Sequence, residues 1–443
     1  MNGQPAAAAE AVSRAILDDL LRGHHPGVVV DSPPGAGKST LVVRAAAEIA
    51  ATGAPLMIVA QTNEQVDDLV VRLAGLFARD LPGARIGRLS RAGYLPPDRL
   101  AGLPNVVVGS DIAALAAPTV VISTAAKWAH VRDRSWRWAI IDEAYQMRSD
   151  ALLAIAARFE RALFVGDPGQ LDPFSVVENA RWRGLTWDPM QSAVAVLLRN
   201  NPSLPVHRLP VSWRLPISAE RVVAEAFYPY TGFRAGSAPG DRALSFQARA
   251  AGGPVDAVLD VAAAAGWGLL ELPARHTVRT DAEAVAAVAA VARGFVARGA
   301  VARSGAASAP VTPARVAVGA AHRDQVAALR AALPADFVVD TANRLQGREY
   351  DVTVVLHPLS GRRDASAFHL EAGRLCVLAS RHRQACVVVA RAGIRELLDD
   401  HPSSEPVHLY EPVKFPDGWA ANQTVMSHLE NHRVSASDPA ARR

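Results

Sequence analysis

Residues 31–40 read Asp31-Ser32-Pro33-Pro34-Gly35-Ala36-Gly37-Lys38-Ser39-Thr40, set between the apolar run Val28-Val29-Val30 and the helix-forming stretch Leu41-Val42-Val43-Arg44-Ala45-Ala46-Ala47. A strand, a glycine-rich loop, Lys-Ser and a helix, in that order, are the context of a phosphate-binding loop. Glycines let successive backbone N–H groups curl round an anion, and the helix N-terminus adds its positive end. Lys38 is placed to reach the terminal phosphates of a nucleoside triphosphate and the Ser39 hydroxyl to hold Mg²⁺, with Pro34, Gly35, Ala36, Gly37 and Thr40 completing the cradle. Ser32 stands where the pattern usually has its first glycine.

Outward from the loop, short apolar runs alternate with helical patterns. Met57–Ala60, Val120–Thr124, Trp138–Ile141 and Ala162–Gly166 read as strands, each running into a polar segment. Such alternation predicts a parallel sheet covered on both faces, with ligands held at the strand C-termini. Hydrolysis of a nucleoside triphosphate needs a carboxylate near Mg²⁺ and a base for the attacking water. Asp142 and Glu143 fit those two roles, on a strand expected to neighbour the phosphate-loop strand.

A second αβ series follows, with strands expected at Val316–Val318, Phe337–Val339, Val352–Leu356 and Ala385–Val389 and helices near 281–297, 323–333 and 371–380. Residues 79–118 read as an irregular basic insertion, 172–205 as a linker, and 231–254 and 299–313 as loops. The last stretch loses periodicity, and disorder is expected over 433–443. The fold class is α/β in two tandem domains, 1–200 and 201–400, followed by an extension at 401–443.

The 443 residues carry a net charge of only +4, which permits a polyanionic partner without demonstrating one. The two cysteines, Cys376 and Cys386, lie in apolar runs far from any C-x-x-C or histidine cluster, which argues against a zinc or iron–sulfur centre. No leader pattern and no apolar run of about 18 residues is present, so no membrane span and a cytoplasmic location are expected. Trp128, Trp136 and Trp138 flank strands and read as core residues.

The motifs, in their order along the chain, resemble those of superfamily 1 helicases of the up-frameshift-like branch. Gln61-Thr62-Asn63-Glu64-Gln65-Val66-Asp67-Asp68-Leu69 resembles motif Ia, Asp142-Glu143-Ala144-Tyr145-Gln146 the D-E-A-x-Q motif, and Gly166-Asp167-Pro168-Gly169-Gln170-Leu171 the G-D-x-x-Q-L motif. Trp213-Arg214-Leu215-Pro216, Thr341–Val352 and Arg374–Arg381 resemble the Tyr-Arg motif, motif V and motif VI. The resemblance implies two tandem RecA-like P-loop NTPase domains with an ATP–Mg²⁺ site between them. Gln170 would sense the γ-phosphate, Trp213 would stack on the base, and Gly347 and Glu349 would approach the nucleotide. Arg214 and Arg381 would reach the γ-phosphate as arginine fingers. Asn343, Leu345, Ser380 and His382 depart from the usual motif residues. The accessory β-barrel usual ahead of the loop has no room here, and the glutamine that reads adenine has only a poorly spaced counterpart, Gln4.

Thr62, Asn63, Ser123, Thr124 and Thr341 are small polar residues at strand ends that could donate to nucleic-acid phosphates. Thr62 and Asn63 fit helix capping equally well. Arg79, Arg85, Arg88, Arg91 and Arg99 fit either a strand channel or a solvated face. The reading is a monomeric, nucleic-acid-stimulated ATPase that moves on single-stranded RNA or DNA, by resemblance 5′→3′. A protein partner for targeting would dock on residues 401–432. Two alternatives stay open: a remodeller that separates no strands, and a nucleotide-switched adaptor.

Overall fold

The computed structural model describes residues 3–115, 117–171, 173, 191–403 and 416–436. Two parallel sheets carry the chain. The first comprises β1 (Gly27–Asp31), β2 (Leu56–Ala60), β3 (Ile86–Leu89), β4 (Val106–Gly109), β5 (Val120–Thr124), β6 (Trp136–Asp142), β7 (Phe159–Gly166) and β8 (Val206–Arg208), in the order β4-β3-β5-β2-β6-β7-β1-β8. Its strands are apolar on both faces because both are covered. Val28 and Val30 enter the core under helices α1 (Gly3–Arg22), α2 (Lys38–Ala51) and α3 (Asn63–Asp80), whereas Val29 enters the opposite core with Trp128 and Trp136. All three flanking tryptophans are buried, as their setting implied.

Two small ladders follow: β9 (Val211–Ser212) with β10 (Arg234–Ala235), and an antiparallel sheet made of β11 (Arg242–Phe246), then, after β12 (Trp267–Leu272), β13 (Ala300–Ser304) and β14 (Ala307–Pro310). The second parallel sheet adds β15 (Val316–Ala320), β16 (Val338–Thr341), β17 (Tyr350–Leu356), β18 (His382–Arg391) and β19 (Arg433–Ser435) to β12, in the order β16-β15-β17-β18-β12-β19. This is the RecA-like P-loop NTPase fold. The cysteines are free and buried.

Several local expectations are corrected. Residues 79–118 contribute β3 and β4 to the first sheet, and Arg88 is a buried interior residue of β3 rather than a channel lining. Its guanidinium is neutralised by Asp67 at 3.0 Å and also donates to Asn63 Oδ1 at 2.9 Å. β6 does not neighbour β1, because β7 lies between them. Within 172–205, residues Ala193–Asn200 are helical, while 172 and 174–190 lie outside the described residues. The stretches 231–254 and 299–313 supply β10, β11, β13 and β14. Residues 433–435 are ordered as β19 beside β12, and 437–443 lie outside the described residues. The helix Gly418–Glu430 buries Val425, Met426 and Leu429 in the second core, so that part of the expected docking segment is internal packing; residues 404–415 lie outside the described residues.

β8 joins the first sheet from just beyond residue 200, and the chain then runs along the phosphate loop before entering the second half. Leu209 N–H donates to Asp31 O, Ser212 Oγ to Pro34 O at 2.6 Å, and Trp213 N–H to Gly35 O at 2.9 Å.

Candidate functional site

The phosphate loop leaves β1 at Asp31, whose carboxylate accepts from the Tyr145 hydroxyl at 2.5 Å. Gly35 and Gly37 take φ values of +71° and +88°, a region open to glycine at little cost. Gly37 is the N-cap of α2, so Lys38 opens the helix with the free N–H groups of its first turn directed at the loop. Ser39 is half-buried and Thr40 exposed.

Lys38 Nζ forms an ion pair with Glu143 Oε1 across the width of β7. Burial alone would lower the pKa of the Lys38 ammonium, but the Glu143 and Asp142 carboxylates outweigh it and hold the value above that of a free lysine. Burial pushes Asp142 up to about 6 against the pull of Lys38. Glu143 takes a φ of +53°, rare for a residue with a Cβ, and its buried Oε2 has no hydrogen-bond partner among the described residues.

The second half brings two arginines to this loop. A Cβ on Gly35 would lie 2.3 Å from Arg214 Cβ, so the Arg214 backbone seats directly on the glycine. Arg214 Nε donates to Glu349 Oε2 at 3.2 Å, and Glu349 Oε1 also pairs with Arg383 at 3.1 Å. Burial, then the like charge of Arg381, brings the Arg214 guanidinium down to about 10. Arg381 is 1% exposed, donates to Ser380 Oγ, and keeps a buried Nε without a hydrogen-bond partner among the described residues. Gln170 turns its amide onto Asp167, which also accepts from Gly169 N–H and from the Tyr228 hydroxyl. Burial raises Asp167 to about 6, against the Tyr228 hydrogen bond.

Trp213 is 41% exposed and lines a cavity of about 260 Å³ beside the loop. Ala6, Ala9, Glu10 and Ser13 of α1, Thr40, Leu41 and Arg44 of α2, and Leu209–Val211 form the remainder with Ala36 and Gly37. Gly347 has a φ of +78° and an open surround, and Glu349 is exposed.

The residues expected to touch nucleic acid divide. Thr62 caps α3 in a reciprocal capping box with Gln65, yet is exposed, as is Asn63. Ser123 is fully buried and donates to Leu89 O at 2.6 Å, so its hydroxyl is committed inside the sheet and is no phosphate contact. Thr124 caps a short helix by accepting from Lys127 N–H, and Thr341 caps another without a side-chain bond. β2 and β5 are adjacent and parallel, which puts Thr62 and Thr124 at the same, C-terminal, end of neighbouring strands of the first sheet. An Arg348–Glu64 ion pair at 2.5 Å brings the segment after Thr341 beside the first turn of α3.

Asp167, Tyr228, Tyr145, Arg383 and the cavity face of α1 carry no signal in the sequence reading. Asp167 and Tyr145 stand inside recognised motifs, but with no role assigned to them there. The donors present suit the groups a P-loop takes. The orphaned Arg381 Nε and the phosphate-loop amides fit a polyphosphate. The hard oxygens of Ser39 and Asp142 fit Mg²⁺, which is commonly held by one or two protein oxygens, substrate phosphates and water. Among the described residues no group of three or more His, Cys, Asp or Glu could hold a metal, and no helix is long and apolar enough to cross a membrane.

Residues 11–186 match the family model described as an AAA domain. No curated protein matches the chain. Among solved structures, the chain is similar to the arterivirus helicase nonstructural protein 10 (TM-score 0.45, 14% identity, 86% of this chain and 61% of that one). It is similar to the same helicase in complex with DNA (TM-score 0.45, 14% identity, 86% and 62%) and to the PRRSV helicase (TM-score 0.41, 15% identity, 98% and 67%). The chain thus spans 61–62% of the length of the first two.

Proposed function

We propose that the protein is an ATP-driven, Mg²⁺-dependent motor of the superfamily 1 helicase type, moving 5′→3′ on single-stranded nucleic acid. The observation that carries this reading is the meeting of Lys38 and Glu143 from the first sheet with Arg214, seated on Gly35, and Arg381 from the second half. The work divides between two RecA-like units, the first closing with β8 and the second running from there through β18, with 401–443 an extension of the second.

In the reaction, the phosphate loop and Lys38 bind the phosphates; Ser39 and Asp142 would hold Mg²⁺, whose charge would offset that of the phosphates. Lys38 must leave Glu143 to do so. Glu143 is then free to orient the attacking water and take its proton. Arg214 leaves Glu349, and both arginines stabilise charge on the transferred phosphoryl group, a contribution of roughly 10³–10⁵ in rate for such a finger. Because the arginines belong to the second half, hydrolysis is tied to closure of the two halves. Thr62, Asn63, Thr124 and Thr341 border the proposed strand track.

The test is phosphate release from ATP, alone and with single-stranded RNA or DNA. The reading expects stimulation by one polymer. Glu143→Gln should lower turnover by at least about a hundredfold while leaving nucleotide affinity in place, as expected for loss of a general base. Turnover unchanged in that variant would remove Glu143 from the mechanism, and release indifferent to both polymers would remove the motor.

A further inference from the structure

Tyr228 belongs to no motif. It follows the helix Ile217–Phe227 and is 2% exposed. Its hydroxyl donates to Asp167 Oδ1 at 2.7 Å and lies 3.5 Å from Cys376 Sγ. Phe233 holds its ring edge-on, with centroids 5.5 Å apart. A Cβ on Gly169 would lie 2.7 Å from two Tyr228 ring atoms, so only glycine lets the loop after β7 pass this ring. On the other side of that loop, a Cβ on Gly373 would lie 2.4 Å from Gln170 O. Leu171 is buried in the core of the second half with Leu215, Val223 and Leu375.

The loop Asp167–Leu171 is therefore held between Tyr228 and the helix Ala372–Ala379, whose next two residues are Ser380 and Arg381. Any shift of Asp167 or Gln170 on phosphate binding is passed to the same packed unit that carries Arg381, and the Tyr228 hydroxyl is the polar contact in that seam with a defined donor direction.

We propose that Tyr228 is a positioning residue, which couples the loop after β7 to the arginine-bearing helix so that Arg381 is aligned only when that loop has engaged the terminal phosphate. This rests on the NTPase reading above. Tyr228→Phe keeps the ring against Gly169 and deletes the donor; Asp167 retains the Gly169 N–H and the Gln170 amide.

The experiment measures steady-state ATP hydrolysis, affinity for a fluorescent ATP analogue and thermal melting, in the parent chain, Tyr228→Phe, Arg381→Lys and the double variant. The expected result is a kcat about ten- to a hundredfold lower in Tyr228→Phe, the effect of losing one hydrogen bond to a charged group, with KM and analogue affinity within error of the parent and melting lowered by no more than the few degrees that one buried hydrogen bond accounts for. In the Arg381→Lys background, Tyr228→Phe should have little further effect. The proposal is overturned by a parent-like kcat, by a fall in kcat accounted for by lost affinity or by unfolded protein at the assay temperature, or by effects that multiply in the double variant. A parent chain without hydrolysis would instead overturn the NTPase reading itself.

Discussion

The cavity beside Trp213 offers a nucleobase an aromatic face and very little else. Three of its polar side chains are already engaged: Arg44 grips Glu10 through two hydrogen bonds of 2.8 and 3.1 Å, and Ser13 donates to Ala9 O. Gln4 is exposed and does not line the cavity. A site whose remaining polar groups, those of Thr40 and Trp213, are exposed rather than buried discriminates weakly, since large ratios arise where buried polar groups would be left unpaired. We therefore expect kcat/KM for ATP and GTP to lie within about tenfold of each other. A preference above a hundredfold would mean a base-reading group outside this lining. At this scale the sequence was legible where function is local. Lys38, Gly35 and Gly37 are readable because a loop and the helix that follows it fix their own geometry. Tyr228 and Leu171 were not, because their roles arise from what packs against them across the chain, and neither residue type nor spacing records that.

Among the elements, β3 shows why the first half was only partly readable. Its four residues place a fully buried arginine in the interior of a sheet, where an apolar residue would have revealed a strand. Arg88 is tolerated because Asp67, Asn63 and Leu89 O accept from it and the Tyr94 ring lies 4.3 Å away, while Tyr94 also donates to Asp67. Removing one partner of such a pair leaves a buried uncompensated charge. Arg88→Ala should lower unfolding stability by about 3–5 kcal/mol, whereas the paired change Arg88→Met with Asp67→Leu should recover much of the loss. Urea denaturation of the three chains checks this. A loss below 1 kcal/mol in the single variant would mean that water reaches Asp67. The strands of the second sheet were easier to read, because Val316–Val318, Val352–Leu356 and Ala385–Val389 are unbroken apolar runs. β12 and β19 were missed: the first carries Gly268 and Glu271 in its run, and the second is three residues long.

The two halves of the molecule differ in how they respond to acid. Burial brings His357 and His382 down to about 3 and His369 and His428 to about 4, all in the second half. A histidine depressed in the folded state contributes stability that is present above its unfolded value of 6.5 and lost as pH falls toward the folded value. Each fully buried one removes about 1.4 kcal/mol per pH unit across that window. Asp142 and Asp167, in the first half, are raised from 3.8 to about 6, and so act with the opposite sign: the folded state gains relative stability as pH falls from 6 toward 4. Without nucleotide, acidification from pH 7.5 to pH 5 should lower the urea midpoint, with amides of β12, β17 and β18 losing exchange protection before those of β1, β6 and β7. Hydrogen exchange at the two pH values checks the order, and uniform loss over both sheets would show that the histidines do not govern it.

The path of the chain after β8 has a consequence for inheritance. Leu209, Ser212 and Trp213 hold the outer wall of the phosphate loop, yet they are encoded after the edge strand of the first sheet, on the way into the second half. The two halves are therefore not exchangeable cassettes. A recombination event that joined this first half to another lineage's second half at residue 200 would import a foreign wall for its own nucleotide loop. Of these three contacts only that of the Ser212 hydroxyl depends on a side chain, so a foreign second half would have to bring a hydroxyl to that position to rebuild the wall.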